Sequence, residues 1–364
     1  MEPVTTRREP SHAQLSVHAP TDVAAVRRAV AAVVDAVCPD GEGRARAELV
    51  ATELATNLVR HAEPGGWMLV RPVHGYGSIG TDVGVPGPPS PRTPAVEIIA
   101  VDRGPGIADM AAALEGRIPE PGGLGCGLGA VRRASARFDI SSEPAGTVVL
   151  SVVDLVADPA IRHPERGGPA PRSWAGVSIG ISQPCGDGWA VAETADTLSV
   201  AVVDGLGHGP KASIAADAAL SEFASDPTDL DAFPRRANER MRDTRGAAVT
   251  LCRVDHRAGE VRYLGIGNVS GRVIGPAETR GLVSYSGTLG LQLEPPRAKI
   301  VTVAWPPGAS LVLWTDGLSS RVGLAGGDAL LGHDPAVVAA TLHRDHARGR
   351  DDATVVVVRS RAGA

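Results

Sequence analysis

The segment Ala45–Ala62, A-R-A-E-L-V-A-T-E-L-A-T-N-L-V-R-H-A, sets Leu49, Val50, Leu54, Leu58 and Val59 at helical spacing, which predicts an amphipathic helix with one buried stripe. Val96–Val101 is an unbroken apolar run and predicts a strand that ends on Asp102. The glycine run Gly122–Gly129, G-G-L-G-C-G-L-G, should open a helix. From residue 173 onward the pattern changes to many short apolar runs separated by turn residues, with helical patterns only in the middle and near the end. That is the pattern of an antiparallel sheet system with packed helices. The stretch between Val156 and Ser173 is rich in Pro, Gly and charge and reads as an extended linker, whereas Pro72–Pro94 reads as a mobile insertion between two strands.

Helical and extended signals together place the chain in the α+β class. Chemistry then narrows what the first half can do. A helix opened by glycines directs backbone N–H groups and the positive end of its dipole at an anion. Yet Lys211 and Lys299 are the only lysines of the chain, so the first half has neither a P-loop lysine nor the strand lysine of a eukaryotic-type protein kinase. Pro119-Glu120-Pro121 forbids the strand that a dinucleotide fingerprint needs directly before its glycines. What remains is a nucleotide site made of glycine amides, a metal ion and carboxylates. Glu53 and Asn57 lie one turn apart on one helix face. The Asn57 amide oxygen suits a hard cation, and the Glu53 carboxylate suits taking a proton from a nearby hydroxyl. Asp102, at a strand end before Gly104-Pro105-Gly106, suits reading the exocyclic amine of adenine.

E-L-A-T-N-L-V-R-H-A, then D-R-G-P-G-I, then G-G-L-G-C-G-L-G-A-V-R-R resemble the N, G1 and G2 boxes of the GHKL (Bergerat) ATPase fold, and more narrowly the anti-sigma and switch serine kinases of bacterial stress signalling. The resemblance covers residues 11–155. It implies an α/β sandwich that binds ATP and Mg²⁺. Asn57 would hold the metal, Glu53 would activate the attacking serine, and Asp102 would bind adenine, with Gly104, Gly106, Gly125, Gly127 and Gly129 shaping the pocket.

In the second half, aspartates stand where strands stop or start. Leu198–Val203 runs into Asp204-Gly205-Leu206-Gly207-His208-Gly209, Leu311–Thr315 into Asp316-Gly317, and Asp351-Asp352-Ala353-Thr354 precedes Val355–Val358. Asp187 in C-G-D-G-W follows another short strand. Carboxylates delivered to one sheet edge repel each other unless a cation lies between them. All-oxygen ligation favours Mg²⁺ or Mn²⁺, and two such ions would activate a water for in-line attack on phosphorus. These motifs resemble PPM-type serine/threonine phosphatases of the SpoIIE and RsbX-like groups, over residues 173–364, linked to the first half by residues 156–172. The resemblance implies an αββα sandwich whose ligands are Asp187, Asp204, the Gly205 carbonyl, Asp316 and Asp351. For His208 a loop-supporting role and an acid role are both open, and Asp352 reads as a turn-bonding residue.

Composition fits a soluble cytoplasmic enzyme. A hydrophobic fraction of 43% in 364 residues suffices for two cores, and the net charge of -5 argues against a nucleic-acid surface. Cys38, Cys126, Cys185 and Cys252 are scattered and predict neither disulfide nor zinc site. No apolar run is long enough to span a membrane, and the N-terminus lacks a signal h-region. The expectation is a fused serine kinase and phosphatase of one partner-switching system. Its expected partners are STAS-domain antagonist or stressosome proteins, with a sigma factor or a downstream phosphatase beyond them. In the rival expectation the first half only sequesters a partner and the phosphatase is the sole enzyme.

Overall fold

The structure is a computed structural model and describes residues 5–39, 41–74, 94–115, 127–156, 173–324, 326 and 328–360. Residues 157–172 of the expected linker, 75–93 of the expected insertion, Pro119–Pro121, Gly125 and Cys126 lie outside the described residues. The chain divides into two compact units, one of residues 12–171 and one that combines residues 1–11 with 172–364.

The 12–171 unit is a five-stranded antiparallel sheet with helices on it. Its strands are β2 (Ala13–Val17), β3 (Gly66–His74), β4 (Pro94–Asp102), β5 (Arg137–Glu143) and β6 (Gly146–Asp154), in the order β2-β3-β4-β6-β5. Helices α1 (Pro20–Val37), α2 (Arg44–His61), α3 (Met110–Glu115) and α4 (Gly127–Ala134) complete it. Val26, Val30 and Val34 of α1 and Val50, Leu54 and Leu58 of α2 close a core over Met68, Val70, Ile98 and Ala100 of the sheet. The stripe on α2 differs from expectation at one place: Leu49 is 43% exposed, and Ala47 and Ala51 complete the buried face instead. The expected insertion starts later than the composition indicates, because β3 runs to His74 and Pro72 pairs with Val96. Proline is tolerated there because β2 stops opposite Val70, leaving that side of β3 without a partner strand among the described residues.

The other unit stacks two sheets between helices. One has six strands in the order β1-β8-β9-β10-β11-β14: β1 (Thr5–Glu9), β8 (Asp187–Glu193), β9 (Thr197–Gly205), β10 (Ala247–Asp255), β11 (Glu260–Ile266) and β14 (Val301–Ala304). The other has five in the order β13-β12-β15-β16-β7: β7 (Trp174–Ile179), β12 (Ser270–Ile274), β13 (Thr279–Leu282), β15 (Ser310–Trp314) and β16 (Ala353–Arg359). Val200 and Val202 of β9 point into the inter-sheet core with Leu311, Leu313, Val356 and Val358. Alternate residues Ala201 and Val203 pack under α5 (Pro210–Ser225) and α6 (Phe233–Arg240). Helix α7 (Pro335–His346) packs on β7 and β16, which gives the expected αββα order. Trp174 and Trp189 meet edge to face, centroids 5.9 Å apart, across the two sheets.

The first strand is the unexpected element. Thr5–Glu9 lies antiparallel to β8, from Thr5 opposite Glu193 to Glu9 opposite Trp189, and Arg8 pairs with Asp217 of α5. In sequence, the 12–171 unit therefore stands between the first and second strands of the other unit.

Candidate functional site

In the 12–171 unit, α2, the end of β4, the loop after it, the start of α4 and the strands β4 and β6 enclose a cavity of about 360 Å³. Asn57, Asp102, Gly104, Gly106 and Gly127 all line it. Leu54, Leu58, Ala100, Ile107, Leu128 and Val149 make its walls apolar, as a flat aromatic base requires. Asp102 is held rigidly, since its Oδ1 accepts from Gly104 N–H at 2.8 Å and Thr147 N–H at 3.0 Å. With Oδ1 engaged by these two amides, Oδ2 is the natural acceptor for an amine. Gly106 has φ +80°, and a Cβ there would lie 2.6 Å from the Glu143 carbonyl, so the turn admits only glycine. Glu53, half-buried one turn before Asn57, is not among the lining residues, and neither is Gly129, which is buried in α4. Gly125 lies outside the described residues. Thr147 and His61 also line the cavity, and neither carries a sequence signal for such a role. Only the long-range pairing of β6 with β4 brings Thr147 there.

In the other unit Asp187 opens β8 rather than trailing a strand, and it stands directly opposite Asp204 near the end of β9. Two carboxylates paired across strands, one of them buried, form an unfavourable arrangement on their own. Burial, then the charges of Asp187, Asp316, Asp351 and Asp352, pushes Asp204 up to about 9. Burial, opposed by the Thr315 and Thr354 hydrogen bonds, pushes Asp187 up to about 7. The neighbours fix these side chains: Thr315 Oγ1 donates to Asp187 Oδ2 at 2.7 Å and Asn268 Nδ2 donates to Asp316 Oδ2 at 2.7 Å. Asp352 accepts from Ile181 N–H at 2.7 Å and Gly186 N–H at 2.5 Å. Both its oxygens are thus spent on the loop, as the turn-bonding reading expects. His208 Nδ1 lies 3.5 Å from Ser182 Oγ, a contact that supports the loop. Asp351 Oδ1 accepts from Asp352 N–H at 2.9 Å. Burial pushes Cys185 up to about 12, so this thiol is inert beside the site.

Among the described residues no three His, Cys, Asp or Glu side chains stand in a ready ligand arrangement. The donor set nevertheless fits a hard divalent cation. Asp204 is raised by Asp187, Asp316 and Asp351 together, so a cation among the four relieves that repulsion. Cys38, Cys185 and Cys252 are free thiols. No helix among the described residues is long and apolar enough to cross a membrane.

Comparison with known proteins agrees with this division. Residues 17–152 match the histidine kinase-like ATPase domain, and residues 194–361 match stage II sporulation protein E (SpoIIE). The chain thus carries a GHKL-like ATPase domain followed by a SpoIIE-type PPM domain. A curated relative is phosphoserine phosphatase RsbX of Bacillus subtilis (strain 168), 29% identical over 145 residues, covering 37% of this chain and 68% of that protein. Among solved structures, a chain from a study of the bacterial stressosome is 26% identical at TM-score 0.48, covering 51% of this chain and 98% of its own. RsbX in complex with magnesium is 21% identical at TM-score 0.44, covering 52% and 94%.

Proposed function

We propose that the chain is a bifunctional regulator of a partner-switching system, an ATP-dependent serine/threonine kinase joined to a metal-dependent phosphoserine/phosphothreonine phosphatase. The phosphatase half rests on one observation above the others: Asp187 and Asp204 face each other across β8 and β9 while Asp316 and Asp351 raise Asp204 further. In this reading Asp187, Asp204, Asp316, Asp351 and the Gly205 carbonyl hold two Mg²⁺ or Mn²⁺ ions. Such ions supply charge neutralisation at the phosphoryl group and a water of lowered pKa. Thr315 and Asn268 keep the carboxylates aimed. Water attacks phosphorus in line, the P–O bond to the substrate serine breaks, and the departing oxygen takes up a proton. RsbX carries the description phosphoserine phosphatase, which supports this assignment of reaction class.

For the ATPase half, Asp102 receives the adenine amine inside the apolar cavity, Asn57 holds Mg²⁺, and the glycines at Gly104, Gly106 and Gly127 admit the nucleotide. Glu53 would take the serine Oγ proton as Oγ attacks the γ-phosphorus and ADP departs. The substrate proposed for both halves is a STAS-type antagonist. A second reading, in which the ATPase half sequesters a partner without turnover, is favoured by the position of Glu53 outside the cavity lining.

Nucleotide affinity and phosphoprotein formation, measured on Asn57→Ala and Glu53→Ala, separate the two readings. Asn57→Ala should lose Mg²⁺-dependent ATP binding. Glu53→Ala should keep binding and lose about 10²- to 10⁴-fold in transfer, the usual contribution of a positioned base. Transfer undiminished in Glu53→Ala removes it from the base role, and no transfer by the parent chain leaves the sequestering module.

A further inference from the structure

The acidic site of the second unit is bordered by leucines that the fold holds in solvent. Leu206, directly after Gly205, is 52% exposed, and Leu291 and Leu293 are 54% and 82% exposed. Leu206 N–H donates to the Gly246 carbonyl at 3.0 Å, and a Cβ at Gly246 would lie 3.0 Å from Leu291 Cγ, so one glycine separates the two leucines. The 289–292 segment is fixed from beneath. Leu289 and Ala247 exchange backbone hydrogen bonds of 3.0 and 3.1 Å. Buried Asn238 accepts from Gly290 N–H and donates to the Gln292 carbonyl, each at 2.9 Å. Gly290, at φ +89°, lies so close to Met241 that a Cβ would be 2.8 Å from its Cβ. A segment tied down this firmly cannot fold its leucine back under the surface. Apolar side chains held out in a group mark a contact surface for another molecule.

A cation stands in the same place. A Cβ at Gly207, the residue after Leu206, would lie 3.0 Å from Arg245 Nη1. Arg245 is exposed and makes no ion pair among the described residues, although carboxylates crowd the neighbouring strand end. A phosphate group approaching Asp204 meets negative charge from every aspartate; the guanidinium offers it a bidentate partner at the rim.

The geometry points to a recognition surface for protein segments in which a phosphoserine or phosphothreonine is flanked by apolar side chains. Leu206, Leu291 and Leu293 receive the apolar flank, and Arg245 receives phosphate oxygens. This assignment rests on the phosphatase reading and narrows its substrate class, because continuity of the leucines with the aspartate-bearing loop places both on one approach path.

The test uses the full chain and short fluorescent peptides carrying a non-hydrolysable phosphonate in place of phosphoserine, with leucine flanks in one and glycine and serine flanks in another. An unmodified leucine peptide is the third probe. Binding is read by anisotropy, and p-nitrophenyl phosphate hydrolysis is followed separately. The leucine phosphonate should bind about tenfold tighter than the glycine-serine one, the order expected for partial burial of leucine side chains. Leu291→Ser with Leu293→Ser should erase that difference while leaving p-nitrophenyl phosphate hydrolysis unchanged. Arg245→Gln should shrink the gap between phosphonate and unmodified peptide. Equal binding of the two phosphonates by the parent chain, or a preference retained in the double variant, overturns the proposal. Absence of p-nitrophenyl phosphate hydrolysis with the leucine preference intact would instead sink the phosphatase reading and leave the surface standing.

Discussion

Asp204 is held in an uncomfortable place for a carboxylate, half-buried and opposite the buried Asp187, so its native charge depends on a partner. Replacing it by Asn removes the repulsion along with one of the proposed metal ligands. Asp204→Asn should therefore stabilise the metal-free protein while losing hydrolysis that added Mn²⁺ does not restore. A gain of about 1 kcal/mol would raise the melting temperature of a domain this size by about 2–4 °C. Melting in EDTA and hydrolysis across a Mn²⁺ titration check both halves, and a destabilised variant with full activity would contradict them. Glu97 is the opposite case. Burial alone would raise its pKa, but the Arg71 guanidinium and the His12 hydrogen bond win and hold it at about 2, below its ordinary 4.5. A depressed native pKa means that the unfolded chain binds the proton more readily, so the stabilisation is present above 4.5 and is lost as pH falls toward about 2. Acid unfolding of the parent and of Glu97→Gln should diverge above that window, with the variant less stable there because it removes the carboxylate charge that offsets the buried Arg71 guanidinium. Parallel curves would show that the pair does not hold this sheet together.

Elements were legible where their side chains repeat with a local period. Helix α2 and strands β4, β9, β15 and β16 lie where apolar spacing puts them, β4, β9 and β16 longer by one or two residues at each end and α2 and β15 shifted one residue toward the N-terminus. The spacing does not fix the rotation of a helix, so Leu49 points out where alanines suffice to pack against the sheet. Of the residues lining the cavity of the 12–171 unit, Asn57 and Asp102 were legible because each sits inside a motif of its own element, whereas Thr147 reaches the cavity only through β4–β6 pairing. Strand β1 had no signal at all. T-T-R-R-E has no apolar alternation, and its extended form comes from hydrogen bonds to β8. That makes a test at this scale: deleting residues 1–11 bares the β8 edge, so the second unit should melt lower and aggregate sooner. The 12–171 unit, which begins at His12, should keep the nucleotide affinity proposed for it. A truncated chain that melts and stays dispersed like the parent would make β1 a bystander.

At the scale of the whole molecule, the two units have separate hydrophobic cores, one built on α1, α2 and the five-stranded sheet and the other within the double sheet and its helices. A ligand that binds a native unit stabilises that unit by mass action, by about 2.7 kcal/mol at 100 times its dissociation constant. Two cores with two different ligand sets therefore predict two calorimetric transitions that can be moved one at a time. ATP with Mg²⁺ should raise one transition, and Asp102→Ala should abolish that response, because this residue lines the cavity proposed to take the nucleotide. Mn²⁺ without nucleotide should raise the other, and Asp187→Asn should abolish that second response while leaving the first intact, since Asp187 belongs to the carboxylate group of β8 and β9. Mg²⁺ alone is expected on both kinds of ligand atom, so the Mn²⁺ arm must be run with nucleotide absent and the ATP arm with the metal held constant. A single transition that shifts with either ligand would mean that the cores unfold as one body. Binding at one site would then change occupancy of the other through stability alone, and the two proposed activities could not be set independently.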